Sequence, residues 1–188
     1  MPNAMTPLFD PDQLANGFWF DWLEHPQMGA LRAPLGLTRP LQSYRFEEAT
    51  ITVDVDGPPV SISQCSVNDF NLSFASGDGV LLGDNVAARM PVHLVFDRPM
   101  LALGTKVSAN GPVGRDYLAQ LSVRFEDGEW QPVMTVGRLS RTRDSAPFLG
   151  VRAKNGSRIV EAWFDVFDAK NRIEFSQVAI NHFHFLPA

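Results

Sequence analysis

Residues 117–139 read YLAQLSVRFEDGEWQPVMTVGRL, and this stretch decides the fold. Tyr117, Ala119, Leu121, Val123 and Phe125 share one parity, with Gln120, Ser122 and Arg124 between them. A period of two places these sets on opposite faces of an extended strand. Asp127-Gly128 then marks a tight turn, since Gly accepts positive φ, and Trp130 to Leu139 resumes the extended pattern. Two strands joined by so short a link run antiparallel.

The same short runs, broken by Gly, Asp, Asn and Pro, continue to Phe185. They predict strands at Pro147 to Arg152, Ile159 to Phe167 and Ile173 to Phe185, with Asn155-Gly156 as a second hairpin turn. Upstream, Pro91 to Asp97 and Met100 to Val107 read as strands, and Gly104 marks a bulge or a close backbone approach. Earlier still come Tyr44 to Val55, closed by Asp56-Gly57-Pro58-Pro59, and Val60 to Val67. A short strand around Leu72 and Phe74 follows, then the turn Ser76-Gly77-Asp78-Gly79 and apolar Val80-Leu81-Leu82. About eight or nine strands at roughly ten-residue spacing predict an all-β antiparallel sandwich of jelly-roll type.

Residues 1–40 lack this alternation and are expected to form an N-terminal arm packed on a sandwich domain of residues 41–188. Asp10-Pro11-Asp12 has the composition of a helix start, followed by Leu14, Phe18 and Leu23 on one helical face. Such a helix ends before Pro26, and Gly29, Pro34, Gly36 and Pro40 predict an irregular segment. The run Phe18-Trp19-Phe20-Asp21-Trp22 is expected to pack against the sandwich.

Composition supports one folded domain. With 45% hydrophobic and 20% charged residues the chain has enough apolar side chains for a core, and 14 Gly with 14 Pro disfavour long helices. A net charge of −5 speaks against a nucleic-acid partner, although residues 138–172 are locally basic. Cys65 is the only cysteine, which excludes an intramolecular disulfide and a Cys-based zinc site. We expect it in the core. No apolar run approaches the ~18 residues of a membrane span, and Met1 through Asp10 has no basic region followed by an apolar stretch.

Four landmarks carry a family resemblance: Leu82-Gly83-Asp84-Asn85, Val95-Phe96-Asp97-Arg98-Pro99 with Gly104 after it, Phe148-Leu149-Gly150-Val151, and the closing pair Ile159 to Phe167 and Ile173 to Asn181. Together they resemble galactose-binding-like jelly rolls over residues 80–185, notably the ectodomains of bacterial proteins with PEP-CTERM sorting tails. The resemblance implies carbohydrate binding, and in some members a structural calcium ion, through loops at one end of the sandwich. It also implies a place outside the cell, whereas the absence of a leader points inside. The chain departs from the sorted proteins in ending at Phe185-Leu186-Pro187-Ala188, without an apolar anchor or an arginine cluster.

Arg138, Arg141 and Arg143, with Trp130 and the Asp116-Tyr117 pair, are the candidate ligand-binding residues. Guanidinium groups grip carboxylates, phosphates and sugar hydroxyls through paired hydrogen bonds. Arg141 and Arg143 project to one side if Val133 to Arg143 is one strand; the plainer reading is a solvated edge that discourages strand pairing. His182 and His184, two apart, point to one side of a strand as a metal pair requires, with His93 as a possible third ligand. The partners of a cupin-type site do not follow, and a half-exposed terminal strand explains the pair equally. Asp69-Phe70-Asn71, Asp78-Gly79 and Asp84-Asn85 offer oxygen ligands to calcium, but these residues also fill turns for conformational reasons. No nucleophile elbow, activated thiolate or phosphate loop is present. The expectation is therefore a noncatalytic binding module for carbohydrate with no resident cofactor. The alternatives are a structural or interaction domain assembling through the aromatic arm, and a glycoside hydrolase with a carboxylate pair.

Overall fold

The computed structural model describes residues 4–24, 43–53, 60–65, 73–84, 92–168, 170, 175 and 177–188. Among them the strands are β1 (Met5–Leu8), β2 (Phe18–Phe20), β3 (Ser43–Arg45), β4 (Thr50–Val53), β5 (Val60–Gln64), β6 (Gly79–Asp84) and β7 (Val92–Ala109). After these come β8 (Asp116–Phe125), β9 (Trp130–Arg138), β10 (Phe148–Ala153), β11 (Ile159–Asp168), β12 (Gln177–Ile180) and β13 (Phe183–Pro187). Strand makes up 62% of the structure and helix 3%, which places it in the all-β class, consistent with a sandwich. The pairings among these strands are antiparallel.

The long strand β7 is the spine. Its first part pairs with β4 and β11, its middle with β10 and β13, and its end with β12. Strands β8 and β9 extend the sheet beyond β11, and β6 and β5 extend it beyond β12. Alternation works as the sequence predicts: Tyr117, Ala119, Leu121, Val123 and Phe125 of β8 are all buried. Phe183 of β13 gathers the core, with its ring centroid 6.0 Å from both Phe20 and Trp22, 6.2 Å from Phe96 and 6.5 Å from Phe164. Cys65 is buried in a smaller cluster with Phe74 and Val80.

Local signals also hold. Asn155 and Gly156 take φ of 54° and 80° at the β10–β11 turn, and Gly128 takes 86° between β8 and β9. Gly104 is a close-approach glycine: it sits opposite Gly150, and a Cβ there would lie 2.5 Å from the Phe148 ring and 2.9 Å from the Gly150 Cα. Gly104→Ala is therefore expected to cost about 1–3 kcal/mol, the scale of overpacking. A urea midpoint indistinguishable from that of the parent protein would contradict this.

Several boundaries differ from expectation. The helix at Asp10 is real but short: a 3₁₀ turn over Pro11–Leu14 with a capping box between Asp10 and Gln13. At Gly17 the chain runs so close to β13 that a Cβ would lie 2.6 Å from the Phe185 carbonyl oxygen, and Phe18–Phe20 then pairs with β13 as a strand. A ladder partner far away in sequence thus overrides the helical spacing of Phe18 and Leu23. The expected strand Ile173 to Phe185 is divided at Asn181 and His182, and its two parts pair at different places along β7. Conversely, Pro91 to Asp97 and Met100 to Val107 merge into β7. Strand β9 ends at Arg138, and Arg141 and Arg143 lie in the loop beyond it. The predicted segment around Pro26 to Pro40, the turn Asp56 to Pro59, the loop Asp69 to Asn71, and Leu72, Asn85 and Ile173 lie outside the described residues.

Candidate functional site: a polar cleft beside Trp19

Five separate stretches of chain meet at a cleft of about 350 Å³. The 3₁₀ turn supplies Pro11 and Asp12, the turn before β6 supplies Ala75 and Asp78, and β7 supplies Lys106. The β9–β10 loop gives Asp144, β10 gives Phe148, the link between β12 and β13 gives Asn181 and His182, and β13 itself gives His184. The volume falls within the range of small-ligand sites.

The cleft is rigidly supported from behind. Asp21, 2% exposed, accepts hydrogen bonds from the Leu23 N–H at 2.8 Å and the Gly79 N–H at 3.0 Å, and its Oδ2 lies 3.3 Å from His182 Nε2. Position 79 must be glycine for this approach, because a Cβ there would collide with the Asp21 carboxylate and with Leu23. Asn181 donates from Nδ2 to Asp78 at 3.0 Å, and its carbonyl oxygen accepts from Trp22 Nε1 at 2.7 Å and Thr105 Oγ1 at 3.1 Å. Across the cleft, Lys106 Nζ donates to Asp144 Oδ1 at 2.6 Å. Asp144 has φ of 53°, a left-handed conformation that Asp tolerates better than most residues.

Charge is arranged in the same pattern. The hydrogen bond with Asp21 raises the His182 pKa against the opposing effect of burial, and the Asp78 charge adds to it. Burial works to raise the Asp21 pKa, but the hydrogen bonds from His182, Gly79 and Leu23 outweigh it and hold the carboxyl below its ordinary range. His184 behaves oppositely: burial, with the nearby charges of His182 and Lys106, lowers it to about 4 and keeps the imidazole neutral. Trp19 lies over both rings, with centroids 5.2 Å from His182 and 6.4 Å from His184, while remaining 57% exposed.

The residues selected from sequence do not converge. Asp116 and Arg138 face each other across β8 and β9 with a 3.2 Å ion pair. Trp130 stacks on Trp163 at 4.2 Å opposite Arg124, eight residues away along the same ladder and so roughly 26 Å distant. Tyr117 is fully buried; its hydroxyl donates to the Val107 carbonyl at 2.9 Å, and burial pushes its pKa up to about 12. Its side chain faces the core because its parity along β8 is the inward one. Arg141 and Arg143 are exposed in the loop that also carries Asp144. His93 contacts Glu161 at 3.1 Å and Trp163 edge-on. Among the described residues no group of three or more His, Cys, Asp or Glu side chains could hold a metal ion.

Spacing did flag part of the cleft: His182 and His184 share a side, and both lie beneath Trp19. Asp78 was also visible as a turn residue. Lys106 and Asp144 had no sequence signal, because only the course of the β9–β10 loop brings them near. The run expected to pack against the sandwich does so only at Phe20, Asp21 and Trp22: Phe18 and Trp19 are exposed, and the pairing of β2 with β13 sets Trp19 over the histidines. No protein-family model matches the chain, and a search of curated proteins gave no match. Among solved structures, one similarity is to a phage tailspike domain. This is the enzymatically active domain of tailspike protein 4 of bacteriophage CBA120, at 14% identity and a TM-score of 0.29. The match covers 74% of this chain and 20% of that one, so the chain spans about a fifth of the tailspike domain. A likeness of this degree assigns no residue role. No helix among the described residues is long and apolar enough to cross a membrane.

Proposed function

We propose that the protein is a noncatalytic binding module that takes a carbohydrate in the cleft beside Trp19. One observation carries the reading: an indole that is 57% exposed stands over two imidazoles that line a cleft furnished with both donors and acceptors. A sugar presents an apolar ring face and a rim of hydroxyls, which suits a broad aromatic surface next to mixed polar groups. The resemblance to galactose-binding-like jelly rolls, whose members often bind carbohydrate, agrees with this reading at the level of fold.

The test is a glycan-array screen of the protein with and without calcium, followed by titration calorimetry on any hit. Trp19→Ala is expected to weaken binding about tenfold, the scale of a lost aromatic contact. Silence on the array in both conditions would refute the proposal, and turnover of a glycan would shift it toward hydrolysis. A second reading, assembly through the N-terminal arm, is favoured by the exposure of the β2 neighbours Phe18 (41%) and Trp19 (57%). It predicts a dimer in sedimentation that Phe18→Ser dissociates.

A further inference from the structure

We infer that a second copy of this chain docks, face to face, on the outer face of the sheet made by β9, β8, β11 and the first part of β7. That face shares no residue with the cleft beside Trp19.

Strand parity builds the face. Tyr117 to Phe125 turn their buried set inward, so Leu118 and Arg124 point the other way, and the register sets Trp130, Pro132, Met134 and Val136 of β9 on that same side. Strand β11 adds Trp163 and Phe167, opposite Ser122 and Leu118. The result is an apolar stripe on a surface that faces water. Met134 is 48% and Val136 63% exposed, and a groove of about 210 Å³ runs between Leu118, Met134 and Phe167. At the far end the half-buried Trp130 and Trp163 rings stack with centroids 4.2 Å apart. Apolar side chains gathered in this way mark an interaction surface.

The neighbouring edge limits how a partner can approach. The Phe125 N–H donates to the Glu129 carbonyl at 2.9 Å and the Leu139 N–H to the Arg115 carbonyl at 2.8 Å, so the odd-numbered residues of β9 bond to β8. The even-numbered ones, Pro132 among them, turn their backbone groups to the open edge, where β9 is the last strand among the described residues. Proline has no N–H, so this edge lacks a donor near its middle and takes another strand poorly. An extended peptide is thereby disfavoured, and the partner rests on side chains.

Charge and area select a like copy. The charges of the face are matched within it: Arg138 with Asp116 at 3.2 Å, and Arg124 and His93 both with Glu161. Asp165, on the same side of β11, is only 3% exposed. The whole chain carries a net charge of −5, which pushes two copies apart, but at this face the charges cancel. A second copy brings an equally balanced rim and an apolar centre, whereas a strongly charged partner finds nothing to pair with. Strand β9 is about 27 Å long and four strands at about 4.8 Å spacing are about 19 Å wide, a footprint of roughly 500 Å² before side-chain relief is counted. A standard interface takes roughly 600–1,000 Å² from each partner, so this face is large enough to form the centre of one.

Sedimentation velocity of the full chain from about 1 to 200 μM is the test. We expect a dimer with a Kd in the micromolar range. Met134→Lys combined with Val136→Lys sets like charges against each other across the contact and should weaken it at least about thirtyfold. Val136→Ile keeps the surface apolar and should keep the dimer. Phe18→Ser should leave it intact, which separates this face from assembly through the N-terminal arm. Hydrogen exchange of the unaltered protein gives a measurement that needs no variant: residues 118–138 should exchange more slowly at the high concentration than at the low one. A protein that stays monomeric throughout would overturn the inference, whether the face then proved to bind another protein or a lipid surface. So would exchange that is the same at both concentrations, a dimer that the two lysines leave intact, or one that Phe18→Ser dissociates.

Discussion

Phe183→Ala is expected to lower the unfolding free energy by about 3–5 kcal/mol, the range for truncating a buried aromatic residue. Phe183 is fully buried, and its ring meets rings from β2, β7 and β11 and from the segment after β2. Those neighbours belong to strands held by their own ladders, so they have little freedom to collapse into the void, and the cavity penalty adds to the lost transfer energy. Equilibrium urea denaturation followed by tryptophan fluorescence measures the loss. A change below about 1 kcal/mol would mean that the strands relax around the gap and that the core is looser than this packing implies.

Removing the Asp21 carboxylate is the second large effect. Asp21→Ala leaves the N–H groups of Leu23 and Gly79 without their acceptor and His182 without its nearer carboxylate, for an expected loss of about 3 kcal/mol. The pH dependence distinguishes this from simple loss of packing. Because the folded-state pKa of His182 is raised above 6.5, its contribution is fully present below that pH and disappears as pH rises through the folded value. Asp21, whose folded pKa is lowered below 3.8, contributes above that value and loses its contribution as pH falls through the folded one. The wild-type protein should therefore weaken on the alkaline side of pH 6.5, and Asp21→Ala should flatten that slope.

On the acid side His184 acts in the other direction. Its folded pKa of about 4 means that the unfolded chain binds a proton the folded one refuses, so stability falls as pH drops from 6.5 toward 4. His184→Gln should reduce that fall. If denaturation midpoints of the wild-type protein were constant from pH 4 to 9, the electrostatic account of the cleft would fail.

These effects separate what local sequence encodes from what it does not. The parity of Tyr117 to Phe125, the Asn155-Gly156 turn, the Asp10 cap and the close approach at Gly104 were legible because each depends on neighbouring residues or on one backbone property. The same parity, applied to Tyr117 alone, would have assigned it to the interior. Treating it with Asp116 as a pair joined residues that face opposite sides of β8. Trp130 and Arg138 were grouped by nearness in sequence, yet a strand holds such residues apart along its length.

The chain by itself determined an antiparallel all-β protein and the positions of its tightest turns, because alternation and glycine stereochemistry act over a few residues. Tertiary structure alone decided that Phe18–Phe20 is a strand and that the run ending in Phe185 breaks at Asn181 and His182. It also decided that Asp12, Asp78, Lys106, Asp144 and His184 share one cleft. Those outcomes depend on which strand edges find partners and which charges meet across more than a hundred residues, and no local period records either.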